Sequence, residues 1–336
     1  MPKLKQLDLF TGYGGFTIAG ERCGIETIGF SEIDKYANAV LKYHYPLIPN
    51  FYDITKINWA EVPDFDLLTG GSPCQDLSIA GKRAGLSGAR SGLFYEYMRA
   101  VKEKKPKYFI WENVKGALSS QNGWDFAYVL NEMAEAGYSL WWQVLNAKDF
   151  GVPQNRERIF VIGFRDGSPR EVFFERFNDS TYSEQDASQS SRILKSPIRS
   201  QGDKPMILDD FYPDRIREFN ISPTLRQGRS GLKVKHVNRK TGEWNTETTE
   251  TSGALTATMY KGINADGRTG VLEDARIRRL TPIECERLMG LPDNWLKYGI
   301  DEKGNKFEIS DSQKYKMAGN GVVVNVVEEI IKNIIL

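Results

Sequence analysis

The sequence predicts an α/β protein: a doubly wound, mostly parallel sheet carrying a smaller, irregular β-rich unit. Two observations predict the sheet. Across residues 4–164, short strand-like runs alternate with helix-patterned segments, the order expected of a parallel sheet covered on both faces. The three later runs are apolar, as in Tyr108-Phe109-Ile110-Trp111, which suits strands buried on both sides. A third observation predicts the second unit. After about residue 165 the alternation stops, and residues 206–272 carry many Thr, Gly and Arg residues without helical periodicity.

The elements follow in order. Lys5 to Phe10 is strand-like and leads through Gly14 and Gly15 into a helix ending near Cys23. Glu26 to Ser31 is a second strand, followed by a helix from Asp34 to about Tyr45. Asp66–Thr69, Tyr108–Glu112 and Arg158–Phe164 are three further strands, with helices near Leu93–Glu103 and Trp124–Ala136 between them. Residues 177–205, rich in Ser, Asp and Gln, read as a linker. Helical patterning returns at Pro282–Met289, where Pro282 suits a first turn, and at Asn320–Ile335. The final helix is expected to pack back onto the first part of the chain.

The bulk numbers narrow the function classes. The 336 residues suffice for a full core. The net charge of +1 gives no hint of a nucleic-acid partner, so any basic surface must be local. No apolar run approaches the ~20 residues of a membrane span. The start, MPKLKQLDLF, lacks the apolar core of a signal peptide, and the three cysteines have no metal-type spacing. A reducing, cytoplasmic setting is expected. With two histidines and no ligand cluster, no metal is expected.

Polar motifs fall at or beside the carboxyl ends of the strands, where ligands bind on such sheets. The first is Asp8-Leu9-Phe10-Thr11-Gly12-Tyr13-Gly14-Gly15. Its glycines let the backbone turn sharply and approach a ligand. Gly12 and Gly14 fit the first two places of a dinucleotide fingerprint, but Thr17 takes the last one. Glu32, ending the second strand, suits ribose hydroxyls, and Asp53 with Ile54 suits an adenine amino group and face. An adenosine-type cofactor is therefore favoured over a bare tight turn.

The second motif is GGSPCQDLS. A lone cysteine is usually a small buried hydrophobe, the reading given to Cys23 and Cys285. Cys74 differs because Gly70, Gly71 and Pro73 build a rigid turn that presents it at a strand end, ahead of a polar, glycine-rich lid. Glu112 closes its apolar strand, where a carboxyl needs a partner or a pocket; a helix cap or an ion pair would also satisfy it. Arg156 and Arg158 in QNRERIF share one face by alternation. An ion pair with Glu157 or another acid is their alternative use.

The ordered set DLFTGYGGF, GGSPCQDLS, ENV, QNRERIF and AGNGV resembles the DNA (cytosine-5) methyltransferase family, in its stand-alone prokaryotic or phage form. The match covers nearly the whole chain outside residues 170–272. The resemblance implies a Rossmann-like fold that binds S-adenosylmethionine and releases S-adenosyl-L-homocysteine, with double-stranded DNA as substrate. It implies a catalytic domain of residues 1–168 and 273–336 and a target-recognition domain of residues 169–272. A location on DNA in the cytoplasm follows, as a monomer, with or without a cognate restriction endonuclease acting on the same site.

The chemistry asks for the same groups. Carbon 5 of cytosine is a weak nucleophile until a thiolate adds at carbon 6. By resemblance, Cys74 is that thiolate, Glu112 holds ring nitrogen 3 and the amino group, and Arg158 holds oxygen 2. Arg156 supports Glu112 or the lid. The implied donor pocket comprises Phe10, Thr11, Gly12, Gly14, Gly15, Glu32, Ile33, Asp53, Ile54, Pro73, Leu93, Asn320 and Val322. The target atom is inaccessible in a duplex, so the base must be flipped out. Gln75, Ser78, Lys82, Arg83 and Arg90 are expected to contact DNA from the lid. Arg226, Arg229, Lys233 and Lys235, in the acid-free run RQGRSGLKVKHVNRK, suit phosphate contact and groove reading. Thr256 lies in SGALTATMYKG, which resembles the family's threonine-leucine stretch; Pro223-Thr224-Leu225 competes for that role. Rival readings are an RNA (tRNA) cytosine-5 methyltransferase, a catalytically silent DNA-binding module and, more distantly, an NAD-dependent dehydrogenase.

Overall fold

The computed structural model describes residues 3–73, 92–118, 124–166, 234–236, 252–253, 269–273 and 276–335. A six-stranded sheet organises the first half. Its strands are β1 (Lys5–Leu9), β2 (Glu26–Ser31), β3 (Leu67–Gly70), β4 (Tyr108–Val114), β5 (Ser139–Asn146) and β7 (Glu157–Phe164), in the order β2-β1-β3-β4-β7-β5. The first four pair in parallel, while β7 runs antiparallel to both β4 and β5. The sheet is therefore mostly parallel, as the sequence predicts. The two-residue strand β6 (Gln154–Asn155) lies just before β7.

Helices cover both faces. They are α1 (Gly15–Arg22), α2 (Lys35–His44), α3 (Gly92–Lys104) and α4 (Trp124–Glu135). Later come α5 (Pro282–Leu288), α6 (Asp311–Asn320) and α7 (Val324–Ile335). Side-chain alternation along each central strand feeds two cores. Leu67, Ile110, Phe160 and Ile162 pack on one face with residues of α1, α2, α5, α6 and α7. Leu68, Phe109, Trp111, Ile159 and Val161 pack on the other with residues of α3 and α4. The apolar runs arise because both faces are buried. Phe16 and Ile18 of α1 share a core with Val327 and Ile331 of α7, so the chain's end does pack back onto its beginning.

Local chemistry sets the ends. Asp34 caps α2 by accepting from Tyr36 N and Ala37 N. Thr281 and Glu284 form a capping box at α5, with Pro282 in its first turn. The edge strand β5 was not among the expected elements. Beyond residue 166, β8 (Val234–His236), β10 (Thr269–Glu273) and β11 (Arg276–Arg279) form a three-stranded antiparallel sheet, so the predicted unit has β structure. That sheet continues across residue 272. Strand β9 (Ser252–Gly253) pairs with β6, setting Ser252 beside Gln154. A hairpin of β12 (Tyr298–Ile300) and β13 (Lys306–Glu308) precedes α6.

Candidate active site

Two groups of residues gather at the strand ends. The first surrounds the turn after β1. Phe10 adopts a left-handed backbone with φ 53°, and Gly12 follows at φ 59°. A side chain on Gly12 would meet nothing within 4 Å, so this turn borders open space. Thr11 points inward, donating its hydroxyl to Asp8 O (2.8 Å). Gly14 has φ 93°, where glycine carries no steric cost. Gly15 serves packing: a Cβ there would lie 2.8 Å from the Val322 side chain.

Glu32 closes this group. Its Oε2 accepts from Gly12 N (2.7 Å), and its Oε1 accepts from Ile33 N (2.8 Å) and Asp34 N (2.7 Å). Burial nonetheless raises its pKa above the ordinary carboxyl value, because desolvation outweighs the three amides. Ile33 stands 73% exposed. Asp53 caps a 3-10 turn, accepting from Thr55 N (3.1 Å) at the surface. Ile54 is 3% exposed and packs into the core with Leu7 and Leu9, so its side chain is not free to face a ligand in this conformation. Phe10 and Leu93 both pack partly against that core. Pro73 and Asn320 are exposed. Val322 is buried and bonded through its carbonyl to Tyr13 Oη (2.5 Å). The Tyr13 ring also explains Gly321, where a Cβ would fall onto it.

The second group lies between β3, β4 and β7. Arg158 Nε sits 3.1 Å from Glu112 Oε1, with both side chains under one-fifth exposed. Glu112 therefore pairs with Arg158, while Glu157 pairs with Lys115. Burial raises the Glu112 pKa despite the pull of Arg158 and Arg156. Gly71 makes room for this pair: a Cβ on it would come within 2.7 Å of Glu112 Oε2. The turn is held to β4 by two side chains. Trp111 Nε1 donates to Ser72 Oγ (3.1 Å), and Asn113 Nδ2 donates to Ser72 O (3.2 Å).

Arg156 reaches a different target. It donates to Gly319 O (3.1 Å) and Gly321 O (2.6 Å), tying the segment before β7 to the C-terminal end of α6. Burial pulls its pKa down to about 10. Its backbone is fixed by Asn146, whose Oδ1 accepts from Arg156 N (3.0 Å). The guanidinium thus links the two groups of residues.

Cys74, Gln75, Ser78, Lys82, Arg83, Arg90, Arg226, Arg229, Lys233 and Thr256 lie outside the described residues. Lys235 lies on β8, opposite Gly270. The motif reading did not single out Tyr13, Ser72, Asn113 or Asn146. Asn113 sits inside ENV, which was a usable signal. Tyr13 and Asn146 bond backbone atoms of residues elsewhere in the chain, and Ser72 meets side chains of β4, so none of the three leaves a local pattern.

Chemically, the first group offers a carboxyl and an open glycine turn, suited to a nucleoside. The second offers a carboxyl with elevated proton affinity beside a fixed cation. Such a pair can grip a planar polar ring and pass it a proton.

Comparison with known proteins agrees with this geometry. The model of the C-5 cytosine-specific DNA methylase family matches residues 4–336. Type II methyltransferase M.HhaI of Haemophilus parahaemolyticus is 36% identical over 333 residues, 98% of this chain and 94% of that protein. Orphan methyltransferase M.SPRI of Bacillus phage SPR is 29% identical over 440 aligned positions, covering 100% of this chain and 98% of that protein. The crystal structure of S. pombe Dnmt2 methyltransferase shares the fold, with a TM-score of 0.63 at 20% identity over 98% of this chain and 97% of that one.

Proposed function

Because the chain belongs to the C-5 cytosine-specific DNA methylase family, we propose that it flips a cytosine from duplex DNA and methylates carbon 5 through a covalent bond to Cys74. It is a DNA cytosine-5 methyltransferase, and the named roles below are our reading of its residues. The observation that carries them is the Glu112–Arg158 pair beside Gly71, on the turn that leads into Cys74.

S-adenosylmethionine, when bound, supplies an electrophilic methyl group. The residues around the first turn fit it: Gly12 borders open space, Glu32 offers a carboxyl to ribose hydroxyls, and Ile33 presents an exposed apolar side chain. Phe10, Asp53, Pro73, Leu93 and Asn320 complete the reading of this pocket. Thr11, Gly15, Ile54 and Val322 support it from behind by packing.

The Cys74 thiolate adds to carbon 6 of the flipped cytosine. Electron density moves into the ring and makes carbon 5 nucleophilic. Glu112, whose burial favours the protonated form, donates to ring nitrogen 3 and accepts from the amino group. Arg158 holds oxygen 2 and stabilises the negative charge spreading over the ring. Arg156 keeps Arg158 and the C-terminal end of α6 in register. After methylation, loss of the carbon-5 proton expels Cys74 and restores aromaticity.

We assign residues 1–168 and 273–336 to catalysis and residues 169–272 to target recognition. Gln75, Ser78, Lys82, Arg83 and Arg90 close over the flipped base. Arg226, Arg229, Lys233, Lys235 and Thr256 meet the duplex. The relatives above include a Type II and an orphan enzyme, so partnership with a restriction endonuclease is one of two roles that this chemistry serves.

The test is expression in a host without cytosine methylation, followed by bisulfite sequencing at base resolution. Protected cytosines in one short motif, lost with Cys74→Ala, are the expected result. Protection that survives Cys74→Ala would sink the covalent route. No protection from abundant, folded protein would sink the DNA substrate.

A further inference from the structure

Three large apolar side chains stand exposed among the described residues: Ile33, Leu47 and Tyr52. Two of them are tied to Glu32, Ile33 as its chain neighbour and Tyr52 through Asn50. Asn50 Oδ1 accepts from both Glu32 N (3.2 Å) and Tyr52 N (2.9 Å), so one amide pins the two segments together. Asn50 Nδ2 also donates to Glu32 O (3.3 Å) and to Asn38 Oδ1 (2.6 Å). From the other side, Ser31 Oγ donates to Tyr52 O (2.8 Å).

These bonds hold Tyr52 in an unfavourable state. Its φ is 57°, in the left-handed region that bulky residues rarely adopt. The twist turns Tyr52 outward, while Phe51 before it and Ile54 after it turn in. Phe51 packs against the sheet, close enough that a Cβ on Gly29 would fall 2.6 Å from its ring. Ile54 is buried. Tyr52 is left 60% exposed, on the segment fixed to the Glu32 backbone. Glycine or asparagine would make the same turn at lower cost. Strain that the surroundings enforce at a ligand turn points toward function.

We propose that Tyr52 is a further wall of the nucleoside pocket, its phenol ring packing on the adenosine part of the methyl donor. The inference rests on the donor-pocket reading above and adds a residue to it. A phenol face suits a planar purine, and such ring pairs gain free energy beyond area burial alone. The ring and Ile33 supply apolar surface tied to the Glu32 backbone, where the carboxyl addresses the sugar.

The experiment is calorimetric binding of S-adenosyl-L-homocysteine to the full chain, with thermal melting of every protein used. Tyr52→Phe should bind like the parent, because the ring is retained. Tyr52→Asn suits the left-handed backbone and should melt at or above the parent temperature, yet bind roughly 3- to 10-fold more weakly. The apparent KM for DNA should not move. An unchanged affinity in Tyr52→Asn would overturn the proposal. So would a loss of affinity that merely tracks a fall in melting temperature across Tyr52→Asn and Tyr52→Ala. A parent protein that binds no S-adenosyl-L-homocysteine, but methylates DNA, would instead remove the donor-pocket reading on which the proposal stands.

Discussion

On the β1–β2 side, the Glu32 carboxylate accepts from three backbone amides. On the β4–β7 side, Glu112 meets a guanidinium instead. Both carboxyls are largely buried and both have raised pKa values, but they are held in different ways. Backbone amides are fixed by the fold, so Glu32 is placed before any ligand arrives. An ion pair between two side chains can open, so Glu112 can exchange part of its bond to Arg158 for an incoming ring. The first arrangement suits binding by shape. The second suits a reaction in which charge and a proton must move.

The largest expected effect lies on the second side. Glu112→Gln keeps the shape but removes the transferable proton and the charge that Arg158 faces. The single-turnover methylation rate should fall by roughly 10²- to 10³-fold. The apparent KM for the donor should stay within about twofold. A rate within about threefold of the parent would place the proton elsewhere and remove the contrast between the two sides.

Next comes the link between them. Arg156→Ala deletes two charge-assisted bonds, one to a buried and one to a half-buried carbonyl. The expected loss of stability is about 2–3 kcal/mol, read from urea midpoints. The donor KM should rise with it, since Gly321 and Val322, just after α6, pack on Tyr13 of the first group. Arg156→Lys should recover part of the stability and less of the donor affinity, because both bonds leave Nη2 at the far end of the guanidinium, a position that the shorter lysine ammonium does not occupy. Equal recovery of both would reduce Arg156 to an ordinary tether.

Glu32→Ala is smaller. Its amides become open to water, and the apparent KM for the donor should rise roughly tenfold, on the scale of one charged hydrogen bond. Steady-state titration of each substrate checks this. The DNA KM should not change. An unchanged donor constant would take Glu32 out of the pocket.

How much of this could be read from residues alone follows from what each element is made of. Strands β3, β4 and β7 were legible because burial on both faces writes a nearly continuous apolar run, and β1 and β2, KQLDL and ETIGFS, were legible from their alternation with helix-patterned segments. Strand β5 was not, because SLWWQVLN mixes polar and aromatic residues at a sheet edge. The reversed direction of β7 leaves no trace in its composition. Glu112 and Arg158 announced themselves as charges beside apolar strands, and the fold pairs them. Arg156 was visible as a charge, but its partners were not: they are carbonyls 163 and 165 positions away. Tyr13 is bonded 309 positions away, again to a carbonyl. Backbone acceptors have no side-chain signature, so the tie between the two halves emerged only from the fold.

The smallest functional effect is expected beneath the first side. Asp8 is fully buried on β1, where its carboxyl accepts from Thr17 Oγ1 (2.9 Å) and Thr69 Oγ1 (3.1 Å). Burial, helped by the charge of Glu32, raises its pKa to about 8, against 3.8 for an ordinary aspartate. At neutral pH the folded protein therefore keeps a proton that the unfolded chain gives up. With more protons bound in the folded state, stability falls as pH rises between about 4 and 8, by at most about 1.4 kcal/mol per unit. Asp8→Asn removes that slope. At pH 5 the variant should lose up to about 1 kcal/mol, since its amide must find an acceptor on a threonine hydroxyl. At pH 8 it should be the more stable protein, with turnover nearly unchanged. Urea midpoints at pH 5, 6.5 and 8 decide the matter. A difference between parent and variant that is constant with pH would mean that Asp8 is ionised in the fold. The donor side would then rest on a buried negative charge, and its contrast with the paired charges of Glu112 and Arg158 would narrow.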